Sequence, residues 1–177
     1  KRQEYMYSFI DVEASGLGVG SYPIEAGIAL PDGKTKCMLI CPPPQWTHWD
    51  IHAEELHGIS RESLLVNGRS VLQAAMLLNE WLAGQTVYTD AWGNDSCWLA
   101  KLFAEAGVVQ RFMLDSVVTL LDQTQQDAWH PTKDRIIEES GILRHRASND
   151  ALVVQKTVTS LMESNCSEQT LRSICSG

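Results

Sequence analysis

The chain has 177 residues, of which 44% are hydrophobic and 20% are charged, and its 14 basic and 22 acidic side chains give it a formal charge of −8. This size and composition predict one soluble domain and exclude disordered and fibrous proteins, and no apolar run is long enough to cross a membrane. The five cysteines lie at irregular spacings without a CxxC pair, so we expect reduced thiols in a cytoplasmic protein and no structural zinc site.

Three strands are predicted before the first helix. The first strand alternates in character and stops at the small residues Ser15 and Gly16. The second and third are joined by a Pro31-Asp32-Gly33 turn, which is typical of a hairpin. Three consecutive prolines end the third strand, and an extended surface passage then leads to a short helix. The predicted strands are residues 5–13, 24–30 and 35–41, and the predicted helix is residues 53–57.

Helices alternate with strands in the rest of the chain. Ser70 is the predicted N-cap of an amphipathic helix, and a second amphipathic helix follows Asn94 and ends at Gly107. A hairpin followed by alternating strands and helices predicts an α/β fold with a mixed sheet. We assign residues 1–163 to one domain and residues 164–177 to a C-terminal tail that can be partly ordered. The other predicted elements are strands at residues 86–89 and 112–114, a helix from Asp115 or Ser116, and a last helix at residues 148–162.

Two acids stand at the end of the first predicted strand. Asp11 and Glu13 are two residues apart, so their side chains share one face of the strand. Two carboxylates held together repel each other and lose hydration unless a cation or a shared proton compensates. A metal site is one interpretation of this pair. The alternative is two solvated acids at a strand end, because Asp-x-Glu occurs by chance in many proteins.

Further candidates lie later in the chain. Asp95 opens a predicted helix, where it has the alternative role of an N-cap, and Asp90 is its rival as a functional acid. Asp150 lies in the first turn of the last helix and has the same capping alternative. His145 precedes it on a loop, where a surface histidine between two arginines is the simpler interpretation.

The order of these residues resembles the DEDDh family of 3′-to-5′ exonucleases, and the resemblance covers nearly the whole chain. The first family motif matches Asp11-Val12-Glu13-Ala14-Ser15-Gly16-Leu17, in which Ala14 replaces the common threonine. A His-Gly-Ile stretch that the family often shows matches residues 57–59. The second motif matches residues 91–99, with Asn94 in a position that is usually aromatic. The third motif is matched in full by His145, Ala147, Asp150 and Ala151.

This resemblance implies a ribonuclease-H-like fold, with a central mixed five-stranded sheet flanked by helices. It also implies hydrolysis at the 3′ end of single-stranded DNA or RNA, or of short oligonucleotides, with release of nucleoside 5′-monophosphates. His145 is the implied general base. The implied ligands of two divalent cations, Mg²⁺ or Mn²⁺, are Asp11, Glu13, Asp95 and Asp150. The residues implied to receive the terminal nucleotide are Ala14, Ser15, Gly16 and Leu17.

The net negative charge is compatible with this activity. A protein that coats long duplexes needs many basic contacts, whereas a site that grips only a chain end can take its positive charge from metal ions. A catalytically silent domain of the same fold that binds nucleic acid or protein is the alternative. The motifs do not distinguish DNA from RNA, and a homodimer is compatible with them.

Overall fold

A computed structural model describes the backbone of residues 6–175 and the side chains of residues 6–164. The strands in this part of the chain are β1 (Ser8–Ala14), β2 (Pro23–Ala29), β3 (Thr35–Leu39), β4 (Thr86–Thr89) and β5 (Met113–Ser116). The helices are α1 (Ile51–His57), α2 (Arg61–Asn67), α3 (Val71–Leu82), α4 (Trp92–Ala106), α5 (Gln123–Asp127), α6 (Trp129–Ser140) and α7 (Ala147–Cys175). A short 3₁₀ helix, Val117–Leu120, follows β5.

The five strands form one mixed sheet in the order β3-β2-β1-β4-β5. β2 pairs antiparallel with both β1 and β3, whereas β1, β4 and β5 run parallel. The predicted α/β fold with a five-stranded mixed sheet is therefore confirmed. β1 is the central strand of the sheet. Loops that connect several other elements therefore lie next to its end.

Alternation along β1 divides its side chains between two cores. Ile10 and Val12 belong to the larger core, which includes residues of α3 and α4, whereas Phe9 packs in a smaller core against α7. Side chains two residues apart on a strand share a face, so Asp11 and Glu13 lie on the same face of β1 as Phe9. The acids of β1 therefore face the layer that contains α7.

The first turn of α7 packs unusually close to β2. A Cβ atom added to Gly27 would lie 2.0 Å from the backbone nitrogen of Ser148. No side chain fits in that space, so glycine is required at this point of β2 for the helix to pack on the sheet. This approach brings the start of α7 next to the end of β1.

Several elements differ from their predicted positions. The first strand begins at Ser8 rather than at Tyr5, which lies outside the described residues, and the helix expected from Asp115 or Ser116 is the short 3₁₀ helix. Helices α2, α5 and α6 were not predicted from the sequence. Pro131 fits into α6 because it is the third residue of the helix, where the backbone N–H has no intrahelical partner.

The last helix is longer than predicted. α7 runs from Ala147 to Cys175, so its backbone continues through the boundary drawn between residues 163 and 164. The side chains of residues 165–177 lie outside the described part. No helix in the described part is both long enough and apolar enough to span a bilayer.

Candidate active site

Asp11 and Glu13 lie at the end of β1 in an environment that disfavours their charged forms. Burial raises the pKa of Asp11 well above its usual value, and the neighbouring acids raise it further, Asp95 most, followed by Glu13 and Asp150. Burial, together with Asp150 and Glu25, raises the pKa of Glu13 to about 7. Acids from three distant segments of the chain therefore share one electrostatic environment.

Asp95 lies in the first turn of α4 with 1% of its surface exposed. The N-cap of α4 is Ala91, so the sequence-based alternative that Asp95 caps this helix is wrong. Its Oδ2 accepts a hydrogen bond from the Thr89 hydroxyl, and its Oδ1 is buried without a partner of hydrogen-bonding geometry among the described residues. Burial raises the pKa of Asp95 to about 7, although the bond from Thr89 partly opposes this.

Asp90, the alternative to Asp95 as a member of the acid cluster, has a different partner. Its Oδ2 forms an ion pair with the ammonium group of Lys133 on α6. Of the four acids that raise the pKa of Asp11, Asp95 acts most strongly and Asp90 least. This ranking favours Asp95 as the member of the acid cluster.

Asp150 and His145 are joined by the turn that precedes α7. Asp150 Oδ2 accepts the backbone N–H of His145 at 3.0 Å, and its Oδ1 accepts from Arg144 Nε. His145 has a φ angle of 63°, which is uncommon for a residue other than glycine. One ligand atom from each of Glu13, His145 and Asp150 lies within 4.8 Å of the others. The turn thus places the imidazole beside two acids of the cluster.

Glu25 holds this turn against the sheet, a role that the sequence interpretation missed. It lies on β2 with 1% of its surface exposed. Its carboxylate accepts three bonds from Arg146, the shortest of 2.6 Å from Nη2, and one of 2.9 Å from the backbone N–H of Ala147. The detectable signal was an acid within the otherwise apolar strand 23–29, because a buried charge requires partners.

The loop between β1 and β2 contains the residues implied to receive a nucleotide. Ala14 and Ser15 are buried at its start, whereas Leu17 near its tip is 71% exposed. The far side of the loop is anchored on α4, where Trp98 Nε1 donates to Ser21 Oγ at 3.0 Å. A fixed base and an exposed apolar tip suit contact with a flat or apolar ligand.

A cavity of about 330 Å³ opens beside Asp90. It combines apolar walls with polar edges and is large enough for a small organic group. The lining residues are Asp90, Val117, Val118, Leu121, Gln126, Trp129 and His130.

The acid cluster fits a divalent cation. Its donors are carboxylate oxygens, which hard cations such as Mg²⁺ and Mn²⁺ prefer, and Asp95 Oδ1 is buried and forms no hydrogen bond of good geometry within the described part of the chain. A nearby positive charge would also offset the burial and mutual repulsion that raise the pKa values of Asp11, Glu13 and Asp95. Of the four acids implied as ligands, Glu13 and Asp150 have ligand atoms within 4.8 Å of each other and would hold such an ion, with Asp11 and Asp95 adding negative charge beside them.

Comparison with known proteins finds solved structures with a similar fold. No protein-family model matches the sequence, and no curated protein matches it. Among solved structures, exonuclease I from Methylocaldum szegediense has a TM-score of 0.69 and 13% identity, with 89% of this chain and 40% of that chain covered. Exonuclease I from E. coli in complex with a dA16 oligonucleotide has a TM-score of 0.69 and 12% identity, with the same coverage. The zinc-bound form of the E. coli exonuclease I–ssDNA complex has a TM-score of 0.67 and 13% identity, covering 92% and 43%.

The chain thus spans less than half the length of these neighbours. Likeness at such low identity concerns the arrangement of the backbone. The chain shares with exonuclease I the ribonuclease-H-like α/β fold, a mixed five-stranded sheet flanked by helices.

Proposed function

We propose that this chain is a metal-dependent 3′-to-5′ exonuclease domain that removes nucleoside 5′-monophosphates from single-stranded DNA or RNA. The observation that carries the proposal is the convergence of acids from β1, α4 and α7 with His145 at one end of the sheet. The fold shared with exonuclease I, which has been crystallised with single-stranded oligonucleotides, supports the same substrate class.

The acids have the role of holding two divalent cations, Mg²⁺ or Mn²⁺. When bound, such ions neutralise the negative charge that develops on a phosphate during hydrolysis. Asp11, Glu13 and Asp95 are predisposed to this role, because burial and mutual repulsion raise their pKa values when no cation compensates. Asp150 completes the set from the first turn of α7.

His145 has the role of general base. An imidazole can take a proton from water at neutral pH, whereas a carboxylate that holds a cation is a poor base. The turn that carries His145 is fixed by its backbone bond to Asp150 and by the contacts of Arg146 and Ala147 with Glu25. Such a fixed turn keeps the imidazole beside the acids without a loop rearrangement.

The loop from Ala14 to Leu17 has the role of receiving the 3′-terminal nucleotide. It directly follows Glu13, so a nucleotide held there has its phosphate next to the acid cluster. The exposed side chain of Leu17 is available for contact with the terminal base. This arrangement favours attack at the end of a strand over attack within it.

The test is a degradation assay with 5′-labelled DNA and RNA oligonucleotides in Mn²⁺, Mg²⁺ or EDTA. We expect a ladder of products that shorten by one nucleotide, and its loss in EDTA and in the variants Asp11→Ala and His145→Ala. His52→Ala is the matched control, because His52 is an exposed histidine on α1. Intact oligonucleotides that remain bound to the wild-type protein in every metal would contradict hydrolysis and support the silent binding module.

A further inference from the structure

His48 lies on the extended segment before α1 and contacts the loop between β1 and β2. Its Nδ1 is 3.0 Å from the hydroxyl oxygen of Ser15. Ser15 Oγ also accepts the backbone N–H of Tyr22 at 3.1 Å, and Ser15 exchanges further backbone bonds with Tyr22 and Asp50. Ser15 therefore joins both ends of the loop to the segment that carries His48.

The imidazole of His48 also fills the space inside this loop. A Cβ atom added to Gly16 would lie 2.8 Å from His48 Cε1, and one added to Gly20 would lie 3.7 Å from His48 Cβ and 3.9 Å from Cδ2. One edge of the ring thus faces Gly16 and the other faces Gly20. Both glycines have positive φ angles, so the loop curves around the ring with a backbone that other residues rarely adopt.

The hydrogen bonding favours one role for each group. Ser15 Oγ accepts the Tyr22 N–H, and its hydroxyl hydrogen is free to donate to His48 Nδ1 in the tautomer that carries the ring hydrogen on Nε2. In that tautomer Nδ1 is the acceptor that orients Ser15. A side chain with an acceptor at the position of Nδ1 should preserve this bond, and one without it should not.

We propose that His48 is a positioning residue for the 3′-terminal nucleotide: it fixes the loop of residues 15–20 in its nucleotide-binding shape through Ser15. This inference rests on the proposed exonuclease function. The hydrogen bond and the close approaches of His48 are to Ser15, Gly16 and Gly20 of the loop, so its removal affects substrate binding and leaves the hydrolytic step intact. It assigns a role to a histidine outside the matched motifs.

The experiment compares three substitutions of His48 in steady-state hydrolysis of a 5′-labelled oligonucleotide. His48→Ala should raise KM about tenfold with kcat within about twofold, which corresponds to the loss of one hydrogen bond and its packing. His48→Asn places an amide oxygen where Nδ1 lies and should restore KM to within about threefold of wild type. His48→Gln, whose amide extends too far, should behave like His48→Ala.

Two measurements keep the inference separate from the proposed function. The amide exchange of Tyr22, whose N–H donates to Ser15, should accelerate in His48→Ala and not in His48→Asn. The dissociation constant of the same oligonucleotide in EDTA, measured by fluorescence anisotropy, should follow the order seen in KM. If wild type binds but does not hydrolyse, hydrolysis fails as a function, and exchange and binding still decide the role of His48.

His52→Ala, with the same change on exposed α1, is the control and should match wild type throughout. Ser15→Ala combined with His48→Ala should lose less than the sum of the two single losses, because both single changes remove the Ser15–His48 bond, whereas only Ser15→Ala also removes the bond to Tyr22. A folded His48→Ala protein with unchanged binding and exchange would overturn the inference. So would a His48→Asn protein as impaired as His48→Ala.

Discussion

Glu13 illustrates how a buried acid of the cluster lowers the stability of the domain that carries it. Burial, Asp150 and Glu25 raise its pKa to about 7 from the usual glutamate value of 4.5. As pH rises, the unfolded chain loses this proton first, so the folded state loses stability until Glu13 itself ionises. The loss is absent in acid, where both states are protonated, and complete above about pH 7.

Glu13→Gln removes this charge and should stabilise the metal-free protein. We expect a gain of about 1 to 2 kcal/mol in the free energy of unfolding above about pH 7, falling to near zero below about pH 4. Urea unfolding in EDTA across this pH range measures the gain. Equal stability changes at all pH values would show that Glu13 is not held in a charge-disfavouring environment. Glu55→Gln, on the exposed face of α1, is the control.

Asp95 and Asp90 are close in sequence but have different partners. Asp95 is buried, and among the residues that the structure describes its Oδ1 has no partner of hydrogen-bonding geometry, whereas Asp90 is paired with Lys133. Asp95→Asn should therefore reduce kcat by about 100-fold or more, and Asp90→Asn by less than about tenfold. Single-turnover degradation of a labelled oligonucleotide distinguishes the two. The reverse order would assign Asp90 to the acid cluster.

At the scale of elements, the contact between β2 and α7 fixes the position of the third motif, residues 145–151. Gly27→Ala would place a methyl group into the backbone of Ser148 and force α7 away from the sheet. We expect a loss of more than about 2 kcal/mol of stability together with most of the activity. Gly93→Ala is the matched control, since nothing lies within 4 Å of its added Cβ in α4 and the change should stabilise the helix by up to about 1 kcal/mol. Thermal and urea unfolding compare the two variants, and similar effects of both would contradict the close approach.

The bond between Glu25 and Arg146 is the second link between these elements. Glu25→Gln leaves a buried amide that satisfies the guanidinium and the Ala147 N–H less well. We expect about 2 kcal/mol of destabilisation and at least about a tenfold loss of kcat, because the turn carrying His145 loosens. Glu139→Gln breaks an exposed pair with Arg135 and should change stability by less than about 0.5 kcal/mol. Unfolding and kinetics of both variants test this, and a Glu25→Gln protein with unchanged kcat would count against a positioning role.

For the whole molecule, a bound cation should link the three segments that carry the acids. We expect Mn²⁺ to raise the melting temperature, and to do so more at about pH 8 than at about pH 6, because protons compete for Glu13 and Asp95, whose pKa values are raised to about 7. Differential scanning fluorimetry with and without Mn²⁺ measures the shift. The shift should disappear in the double variant Asp11→Asn, Asp95→Asn. A shift that persists there would place the ion elsewhere.

Local signals in the sequence predicted most of the regular structure. The strand at residues 86–89 was predicted at its observed bounds, and Ser70 caps α3 as expected, because both depend on neighbouring residues. Helices α5 and α6 were missed because they carry few apolar residues at helical spacing, and α6 has no fully buried residue among its described side chains. α5 is stabilised by a capping box between Asp122 and Gln125, and α6 packs against α7.

The same distinction between local sequence signals and long-range contacts applies to the candidate site. The sequence alone determined the candidate acids, their order and the histidine, because residue type and covalent spacing are written in it. Only the tertiary structure decided that Asp95 acts on Asp11 more strongly than Asp90, that Glu25 bonds to the turn after His145, and that His48 contacts the loop between β1 and β2. The physical reason is that these choices depend on contacts between segments far apart in the chain, and such contacts exist only after the sheet and α7 have packed together.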